Sequence, residues 1–515
     1  MFVSFLPFTA SLLTAIGFFW DSAEAVTTTR TKVAILGGGV SGISAARNLT
    51  QNGINDFIIV EARHILGGIY HYVYVSVARA QDTAFAGTRV ELGCNWVQGL
   101  GTNPINQLRR KYSLNTTRTD NDDVVFYNEN GKLESKEEYN RFIEAYATMT
   151  KLAENRLAKN MVDLSARTAF EMVGWKPKTP VEDAAEYYGF DYEWAEDPPV
   201  TSAIYAAVSE NATSSSFGPN SEGNLFVLDK RGFKYPFIQE AKKFLKENDP
   251  RLKLNTKVTT IEYDRNGVRI HTDRGELIEA DYAIVTFSLG VLQNDDVKWS
   301  PPFPSWKKEG LSGFHMATYT KIFMNFPYQF WDDNQFTVYA DPNRRGYYTA
   351  WQNLNAPGFY PKNTTTNIFF VTVTQYQSFA VESMTDEEVK DEIMAVLRSM
   401  YGEDVPEPTE FLFPRWHSDP LFRGSFSNWP IGELGAHHIN MKAPLHNRVF
   451  FGGEHMHGEY FGYLQGAWFS GADAASDVTQ CVKSKCRPAK YYPVLTNAKL
   501  QPEFIRRVGF VPHYL

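Results

Sequence analysis

Residues 32–61 read KVAILGGGVSGISAARNLTQNGINDFIIVE and predict a strand–helix–strand unit. Lys32–Leu36 is a short apolar run typical of a buried parallel strand, and Phe57–Val60 is a second such run. Between them, apolar residues from Ile43 to Leu49 recur with the spacing of one helix face. The unit has about thirty residues, which is the size of a βαβ unit that binds a dinucleotide.

The glycine pattern GxGxxG joins the first strand to the helix as Gly37, Gly39 and Gly42. Gly37 permits a tight turn, Gly39 lets a pyrophosphate approach the backbone, and Gly42 lets the helix pack closely. The pyrophosphate would lie at the helix N-terminus, beside Ser41, where free amides and the helix dipole favour negative charge. Glu61 follows the second strand, 19 residues after Gly42, where a carboxylate binds ribose hydroxyls. Together these residues predict a dinucleotide site.

The composition is that of a soluble globular protein. The chain has 515 residues, enough for two or three domains, with 43% hydrophobic and 21% charged residues. Its net charge of −8 argues against nucleic-acid binding, which needs a basic surface, and favours cationic ligands. The histidine pairs 437–438 and 455/457 lack acidic or cysteine partners at ligand spacing, so no metal site is predicted.

Residues 1–25 predict a signal peptide that is cleaved near Ala25. The stretch is mostly apolar and ends in Ala23-Glu24-Ala25, a small-x-small cleavage pattern. An N-terminal anchor is the alternative, but Thr and Ser interrupt a short apolar core. Three sequons in polar, loop-like surroundings fit glycosylation of an exported protein, at Asn115, Asn211 and Asn363. We therefore expect a secreted protein with no stable membrane span.

The chain has only three cysteines, too few for a disulfide scaffold. Cys481 and Cys486 are close enough in sequence to clip the C-terminal tail if the protein is secreted. The apolar neighbours of Cys94 indicate a buried small residue, and a catalytic thiol is the less favoured interpretation.

The order of predicted elements indicates an α/β fold of mixed α+β character, with a discontinuous Rossmann-like domain. Helical patterns occur at 135–159, 166–173 and 181–188, and strand patterns return from 225 onward. Strands are also predicted at 319–326, 336–340, 347–353 and 367–377, with a capped helix from Thr385 to Met400, a strand at 449–451 and a helix near 465–479. The predicted divisions are a dinucleotide domain at 31–103, 225–300 and 431–480, a substrate domain at 104–224 (helical) and 301–430 (sheet plus helix), and a tail at 481–515.

Seven further motifs follow one another along the chain. They are Glu61-Ala62 with Gly67-Gly68, ELGCNW at 91–96, DKRGF at 229–233, TFSLGVL at 286–292, YTKI at 319–322, GSFSNWP at 424–430, and Gly453-Glu454-His455 with Gly462-Tyr463. In this order they resemble the flavin-containing amine oxidase family, and most of all its secreted polyamine oxidases of the plant and fungal type. The resemblance covers nearly the whole mature chain.

The resemblance implies FAD as cofactor and assigns the site residues. Lys321 would be catalytic, holding a water near flavin N5. Phe426 and Tyr463 would form an aromatic cage around the amine, with Glu193 as a carboxylate of the substrate tunnel. Ser425 takes the place of the cysteine that bonds flavin in monoamine oxidases, so the FAD would be non-covalent. The implied cofactor-binding set is Gly37, Gly39, Ser41, Gly42, Glu61, Ala62, Gly67, Gly68, Val258, Trp416, Gly453 and Glu454.

Two positions depart from the family pattern. Ile69 stands where the family has an arginine that contacts the cofactor phosphate, so either another base such as Arg63 or Arg79 compensates or the cofactor is bound more weakly. Gln98 stands where secreted plant polyamine oxidases have a tunnel glutamate, so one substrate carboxylate is absent.

The expected reaction is oxidation of a polyamine by hydride transfer to flavin, with O2 reduced to H2O2 and the imine hydrolysed. A single dinucleotide pattern is present, so oxygen is favoured over a nicotinamide as partner. An L-amino-acid oxidase and a non-catalytic flavoprotein remain as alternatives. The expected assembly is a monomer or weak dimer.

Overall fold

The computed structural model describes residues 27–64, 82–360 and 366–493, apart from the side chains of 208 and 210–214. The predicted signal peptide, Gly67, Gly68, Ile69, Arg79 and Asn363 lie outside the described residues. No described helix is long and apolar enough to cross a membrane.

Strands and helices are numbered in chain order within the described residues. The strands are β1 Thr28–Leu36, β2 Phe57–Val60, β3 Asp82–Phe85, β4 Thr88–Glu91, β5 Trp96–Gln98, β6 Thr116–Arg118, β7 Val124–Asn128, β8 Gly131–Lys132, β9 Asn224–Val227, β10 Leu252–Lys253, β11 Val258–Tyr263, β12 Val268–Thr272, β13 Leu277–Val285, β14 Lys298–Ser300, β15 His315–Ala317, β16 Tyr319–Asn325, β17 Phe336–Tyr339, β18 Ala350–Asn353, β19 Ile368–Thr374, β20 Glu410–Leu412, β21 Phe426–Asn428 and β22 Val449–Phe451. The helices are α1 Val40–Gln51, α2 Pro104–Lys111, α3 Glu137–Ala158, α4 Ala166–Met172, α5 Pro180–Glu186, α6 Tyr192–Trp194, α7 Ala203–Ser215, α8 Tyr235–Ala241, α9 Leu289–Gln293, α10 Ser305–Ser312, α11 Gln375–Ser383, α12 Asp386–Tyr401, α13 Gly435–Lys442 and α14 Leu464–Lys483, with a π-helical turn at Tyr187–Asp191 and a 3₁₀ turn at Glu454–Met456.

The first sheet is assembled from three separated stretches of chain. Strands β10, β2, β1, β13 and β22 are parallel neighbours in that order, with Val33 opposite Phe57 on one side and Tyr282 on the other. The opposite end of β13 pairs antiparallel with β12, and β11 and β14 continue the sheet. Side chains of β1 and β2 are buried on both faces, as in a parallel sheet covered by helices.

Helices α1 and α14 pack together against this sheet through glycines. A Cβ on Gly42 would lie 2.0 Å from the carbonyl oxygen of Gly37, and one on Gly471 would lie 2.1 Å from that of Ser41. Such distances leave room for hydrogen only, so the two glycines allow the turn, α1 and α14 to approach closely. The C-terminal part of the chain thereby completes the N-terminal βαβ unit.

The second sheet is mostly antiparallel, with the order β20-β16-β19-β18-β17-β7-β8. It places Lys321 of β16 opposite Thr372 of β19. Helix α12 contributes Val389, Ile393 and Leu397 to the buried cluster on this sheet. Its predicted capping box is present, with reciprocal hydrogen bonds between Thr385 and Glu388.

The structure confirms the α/β fold class with mixed sheets and corrects four local predictions. The strand predicted at 367–377 ends at Thr374, because Gln375 takes a left-handed φ of 48° and begins α11. The helix predicted at 181–188 ends at Glu186, where the π-helical turn starts. The region 104–224 is not wholly helical, since β7 pairs in parallel with β17. Asn211 lies in α7 rather than in a loop. The domain divisions remain predictions.

Candidate active site

A cavity of about 630 Å³ lies between the two sheets and collects most of the predicted site residues. Its lining includes Gly37, Gly39, Ser41, Glu61, Ala62, Gln98, Glu193, Val258, Lys321, Trp416, Phe426, Gly453, Glu454 and Tyr463. Gly42 is absent from the lining, because it packs against the backbone of the turn. One continuous space thus joins the N-terminus of α1 to Lys321 and to Glu193.

The turn before α1 fits the pyrophosphate of a dinucleotide. Gly37 has a φ of 109°, and a Cβ there would lie 2.4 Å from Thr286 Oγ1. Gly39 caps α1 with no side-chain hydrogen bond, so the amides of the first helical turn face the cavity without a side-chain acceptor. The buried Oγ of Ser41 has no hydrogen-bond partner among the described residues. A buried donor and free amides at one point are what a bound phosphate satisfies.

Glu61 is held at the end of β2 by backbone amides. Its carboxylate accepts from Gly38 N at 2.7 Å and from Arg63 N at 2.9 Å. Burial raises the pKa of Glu61. Arg63 also lines the cavity, pairs with Asp419 at 2.6 Å and stacks on Phe422 at 4.1 Å. Of the two basic residues considered as substitutes at Ile69, Arg63 is therefore at the cavity.

The remaining cofactor-side residues differ in their surroundings. Trp416 is buried against Phe422, with ring centroids 4.9 Å apart. Glu454 accepts from Ser427 N at 3.2 Å, Ser427 Oγ at 2.6 Å and Gly462 N at 2.6 Å, so its carboxylate ties three segments together. Trp429, in the GSFSNWP motif, does not line the cavity and stacks between Tyr205 and His438.

Lys321 is buried with its ammonium facing backbone and amide oxygens. Its Nζ donates to Glu91 O at 3.2 Å and also contacts Gly93 O and Asn95 Oδ1. Burial lowers the pKa of Lys321 to about 7, with Cys94 and Glu91 opposing the shift. An amine with this pKa can hold or release a proton near neutral pH.

A buried carboxyl cluster supports the strand end beneath Lys321. Burial and then the carboxylate of Asp82 raise the pKa of Glu91 to about 8. Glu91 Oε1 accepts from Phe233 N at 2.8 Å. Asp82 pairs with Lys234 at 2.8 Å and with Arg89. The ELG and DKRGF motifs therefore meet in one network below the lysine.

Aromatic rings form a row along the substrate side of the cavity. The centroids of Tyr188 and Tyr192 are 5.8 Å apart, as are those of Tyr192 and Tyr319 and those of Tyr319 and Phe426. Tyr463 follows Gly462, whose Cβ would lie 3.3 Å from the Phe426 ring. Phe426 and Tyr463 thus face the same space, at the end of a longer aromatic wall that can exclude water and accept a cation.

Glu193 is the carboxylate of the substrate side. It accepts from Tyr463 Oη at 2.6 Å and from Gln98 Nε2 at 3.4 Å. Burial raises the pKa of Glu193, and the Tyr463 hydrogen bond opposes the shift. Gln98, at the predicted glutamate position, therefore donates to the remaining carboxylate.

Sequence reasoning missed three residues of the site. Tyr319 lies two positions before Lys321 on β16, and side chains at that spacing share one face of a strand. Tyr192 directly precedes Glu193, the residue of this segment to which the family resemblance assigns a role. Asn95 is 1% exposed and contacts the lysine amine from the ELGCNW motif, but its pairing with Lys321 needs the tertiary fold.

Four further predictions concern the cysteines, a glycosylation site and metal binding. Cys481 and Cys486 form a disulfide, with Cα atoms 4.1 Å apart. Cys94 is partly exposed and lines the cavity near Lys321, rather than being fully buried. Asn115 is exposed at the start of β6. Among the described residues no group of three or more His, Cys, Asp or Glu could hold a metal ion.

Comparison with known proteins identifies the family. The family model for flavin containing amine oxidoreductases matches residues 40–479, which is most of the chain. The chain belongs to this family. It is therefore a flavin amine oxidase, and FAD is its flavin, since the turn and helix form a dinucleotide site.

Curated relatives and solved structures agree with this assignment. Polyamine oxidase 1 of Zea mays is 38% identical over 478 residues, covering 88% of this chain and 91% of the relative. Polyamine oxidase 6 of Oryza sativa subsp. japonica is 37% identical, with 89% and 92% covered. Wild-type putrescine oxidase bound to putrescine has a TM-score of 0.67 at 19% identity, over 88% of this chain and 99% of that chain, and shows the same fold.

Proposed function

We propose that the protein is a secreted polyamine oxidase that uses O2 and non-covalent FAD. One observation carries the proposal: a single cavity joins the dinucleotide turn to a buried lysine and continues along an aromatic wall to one carboxylate. Relatives at 37–38% identity over most of both chains carry the name polyamine oxidase.

Bound FAD would supply the redox chemistry, by taking a hydride from the carbon beside the reacting amine and passing the electrons to O2, which is reduced to H2O2. Water then hydrolyses the imine to an aldehyde and an amine. The protein residues bind the chain of the substrate, exclude water around the reacting nitrogen and hold protons.

Glu193 binds a remote ammonium group of the substrate. Of the other cavity carboxylates among the described residues, Glu61 lies in the cofactor turn, Asp296 pairs with Arg423, and Glu454 accepts three protein hydrogen bonds. A polyamine has a second nitrogen at a fixed distance from the first, so Glu193 can fix which carbon faces the flavin. The aromatic wall shelters the uncharged, reacting nitrogen.

Lys321 acts at the reacting end of the cavity. Burial lowers its pKa to about 7, so the amine can take up or release a proton near neutral pH, and can donate to or accept from a water there. Pre-positioned charges of this kind stabilise charge that develops during reaction. The backbone oxygens of Glu91 and Gly93 fix where its amine lies.

Non-covalent binding of FAD follows from the residue at position 425. Ser425 Oγ accepts from Tyr319 N at 2.9 Å and donates to Tyr319 O at 3.0 Å. A hydroxyl engaged in this way offers no thiolate for a bond to flavin. Acid precipitation of the yellow protein should leave FAD in the supernatant, and flavin remaining on the peptide would refute this part of the proposal.

Secretion and glycosylation are supported by the sequence pattern at residues 1–25 and by the exposed Asn115. The disulfide between Cys481 and Cys486 also fits an oxidising compartment. Expression in a secreting host tests this, with N-terminal sequencing of the medium fraction and a glycosidase mobility shift. Sedimentation of the same material tests the proposed monomer or weak dimer.

The substrate class is tested by peroxide release from the purified holoenzyme. Spermine, spermidine, their N-acetylated forms and L-leucine are compared at equal concentration. We expect peroxide from polyamines and none from leucine, whose carboxylate needs an arginine to bind it. Among the described residues that line the cavity, Arg63 is the only arginine, and it already pairs with Asp419. Turnover of leucine alone would favour the amino-acid oxidase, and no turnover at all would favour a non-catalytic flavoprotein.

A further inference from the structure

The carboxylate of Glu193 is carried by an unusual piece of backbone. Helix α5 gives way to the π-helical turn Tyr187–Asp191, which continues directly into the short helix Tyr192–Trp194. Ala195 then takes a left-handed φ of 55°, and its amide donates to Asp191 O at 2.8 Å. π-Turns and left-handed non-glycine residues are disfavoured, and persist where surrounding contacts impose them.

One arginine from a distant loop spans both ends of this turn. Arg345 Nη1 donates to Asp191 Oδ2 at 2.5 Å, and Nη2 donates to Asp191 Oδ1 and Glu186 Oε1 at 2.8 Å each. Glu186 precedes the turn and Asp191 ends it, and both carboxylates are almost completely buried. The planar guanidinium suits this paired geometry, which a lysine cannot reproduce.

Two further contacts hold the turn from its other faces. Tyr187 Oη accepts from Thr374 N and from Thr374 Oγ1, both at 3.1 Å, at the end of the strand next to the one that bears Lys321. A Cβ on Gly189 would lie 2.4 Å from the Phe142 ring, so the turn is pressed against α3. Arg167 also pairs with Glu186. The ion pairs around Arg345 thus involve two arginines and three carboxylates, the third being Asp183, 3.7 Å from Arg345.

We propose that Arg345 is a positioning residue for substrate binding: by bridging Glu186 and Asp191 it fixes the π-turn that presents Glu193 to the cavity. Arg345 itself is absent from the cavity lining, so it acts through Glu193. The inference rests on the proposed function, because it assumes that Glu193 binds a remote ammonium group. Its consequence is that substrate affinity depends on an arginine that does not touch the substrate.

A double-mutant cycle in the holoenzyme tests this proposal. Arg345→Gln, Glu193→Gln and the double variant are compared with wild type for KM and kcat on spermidine. Arg345→Gln should raise KM about fivefold or more and change kcat less than about twofold, as expected for coupled neighbours. In the Glu193→Gln background the same substitution should change KM by less than about twofold. Effects that multiply independently, or an unchanged KM in Arg345→Gln, would overturn the role of Arg345.

Controls separate this role from general stability. Arg344→Gln removes the adjacent arginine, which pairs with Asp341 of its own loop at 3.9 Å, and should leave KM unchanged. If Arg345→Gln fails to retain FAD, Arg345→Lys is measured in its place, with Glu193 and with Gln at position 193. The lysine keeps the positive charge but lacks the planar guanidinium that bridges both carboxylates. A rise in KM only when Glu193 is present supports the proposal, and equal effects in both backgrounds contradict it. Wild type that does not oxidise spermidine would overturn the proposed function as well.

Discussion

The two halves of the cavity are built in different ways. On the cofactor side, the turn Gly37–Gly42 meets its ligand with backbone amides, and the residues that form it are contiguous in sequence. On the substrate side, the wall is made of side chains from separate segments, including Gln98 on β5, Glu193 on α6, Tyr319 on β16 and Tyr463 before α14. Binding by backbone amides tolerates most side-chain substitutions, whereas the shape and charge of a wall built from side chains change with each substitution.

This difference separates the residues that every substrate needs from the residues that select among substrates. A change on the cofactor side should affect every substrate alike, because it acts through FAD. A change at Glu193 or Gln98 should affect only substrates with a remote charge. Lys321 lies where the two halves meet, so its loss should lower the rate of the chemical step.

The largest effect is expected from Lys321→Met. Removing a positioned charge costs about 2–4 kcal/mol in comparable electrostatic roles, so flavin reduction or re-oxidation should slow by about 30- to 1000-fold. FAD should stay bound, because Lys321 on β16 is not part of the turn before α1 that would hold the pyrophosphate. Stopped-flow absorbance of both half-reactions measures this, with the exposed Lys298→Met as control. Wild-type rates in both half-reactions would remove Lys321 from the chemistry.

The next effect is expected from Gly42→Ala. The added Cβ would lie 2.0 Å from Gly37 O, and overpacking of this kind costs about 1–3 kcal/mol. The turn must shift, so FAD binding should weaken about tenfold or more. Because the defect acts through FAD, oxidation of every amine substrate should be affected equally. Equilibrium dialysis of FAD measures this. Gly53→Ala is the control for general destabilisation: its φ of 80° strains any side chain, but its Cβ would meet nothing within 4 Å and it does not line the cavity. FAD binding as weak in Gly53→Ala as in Gly42→Ala would contradict the backbone account.

A smaller and selective effect is expected from Glu193→Gln. Loss of the charge should raise KM for spermidine while leaving FAD affinity unchanged. In the wild type, the raised pKa of Glu193 means that its charge is present above that pKa and lost below it. KM should therefore rise as the pH falls through it, and the variant should lack this rise. Steady-state KM against pH measures both, with Glu171→Gln on α4 as control, and a pH profile shared by wild type and variant would exclude Glu193.

The smallest effect is expected from Gln98→Glu. The new carboxyl group would face Glu193 in place of an amide donor 3.4 Å away. Two such neighbours disfavour each other's ionisation, and a bound ammonium group relieves this by pairing with both. Spermidine KM should fall by a few fold, and more at low salt, because partly exposed charges are screened by ions. KM measured from low to high ionic strength tests this. A salt dependence identical to that of wild type would show that position 98 does not contact the substrate.

The sequence predicts the dinucleotide turn well because its signals are local. The spacing of Gly37, Gly39 and Gly42 between two apolar runs is readable without any long-range contact. The substrate side depends on pairing across the chain, such as Lys321 opposite Thr372, which no local pattern encodes. The π-turn is of the same kind, since its stability comes from Arg345, more than 150 residues away along the chain. The contact of Asn95 with Lys321 was missed for that reason, because it joins residues 226 positions apart in the chain.

Anaerobic mixing of the holoenzyme with spermidine tests the central claim most directly, that a polyamine in this cavity reduces the bound flavin. The absorbance band of the oxidised flavin should bleach within a single turnover, and admitting air should restore it with release of H2O2. L-Leucine should leave the band unchanged. A band that persists with spermidine and bleaches with leucine would contradict the account.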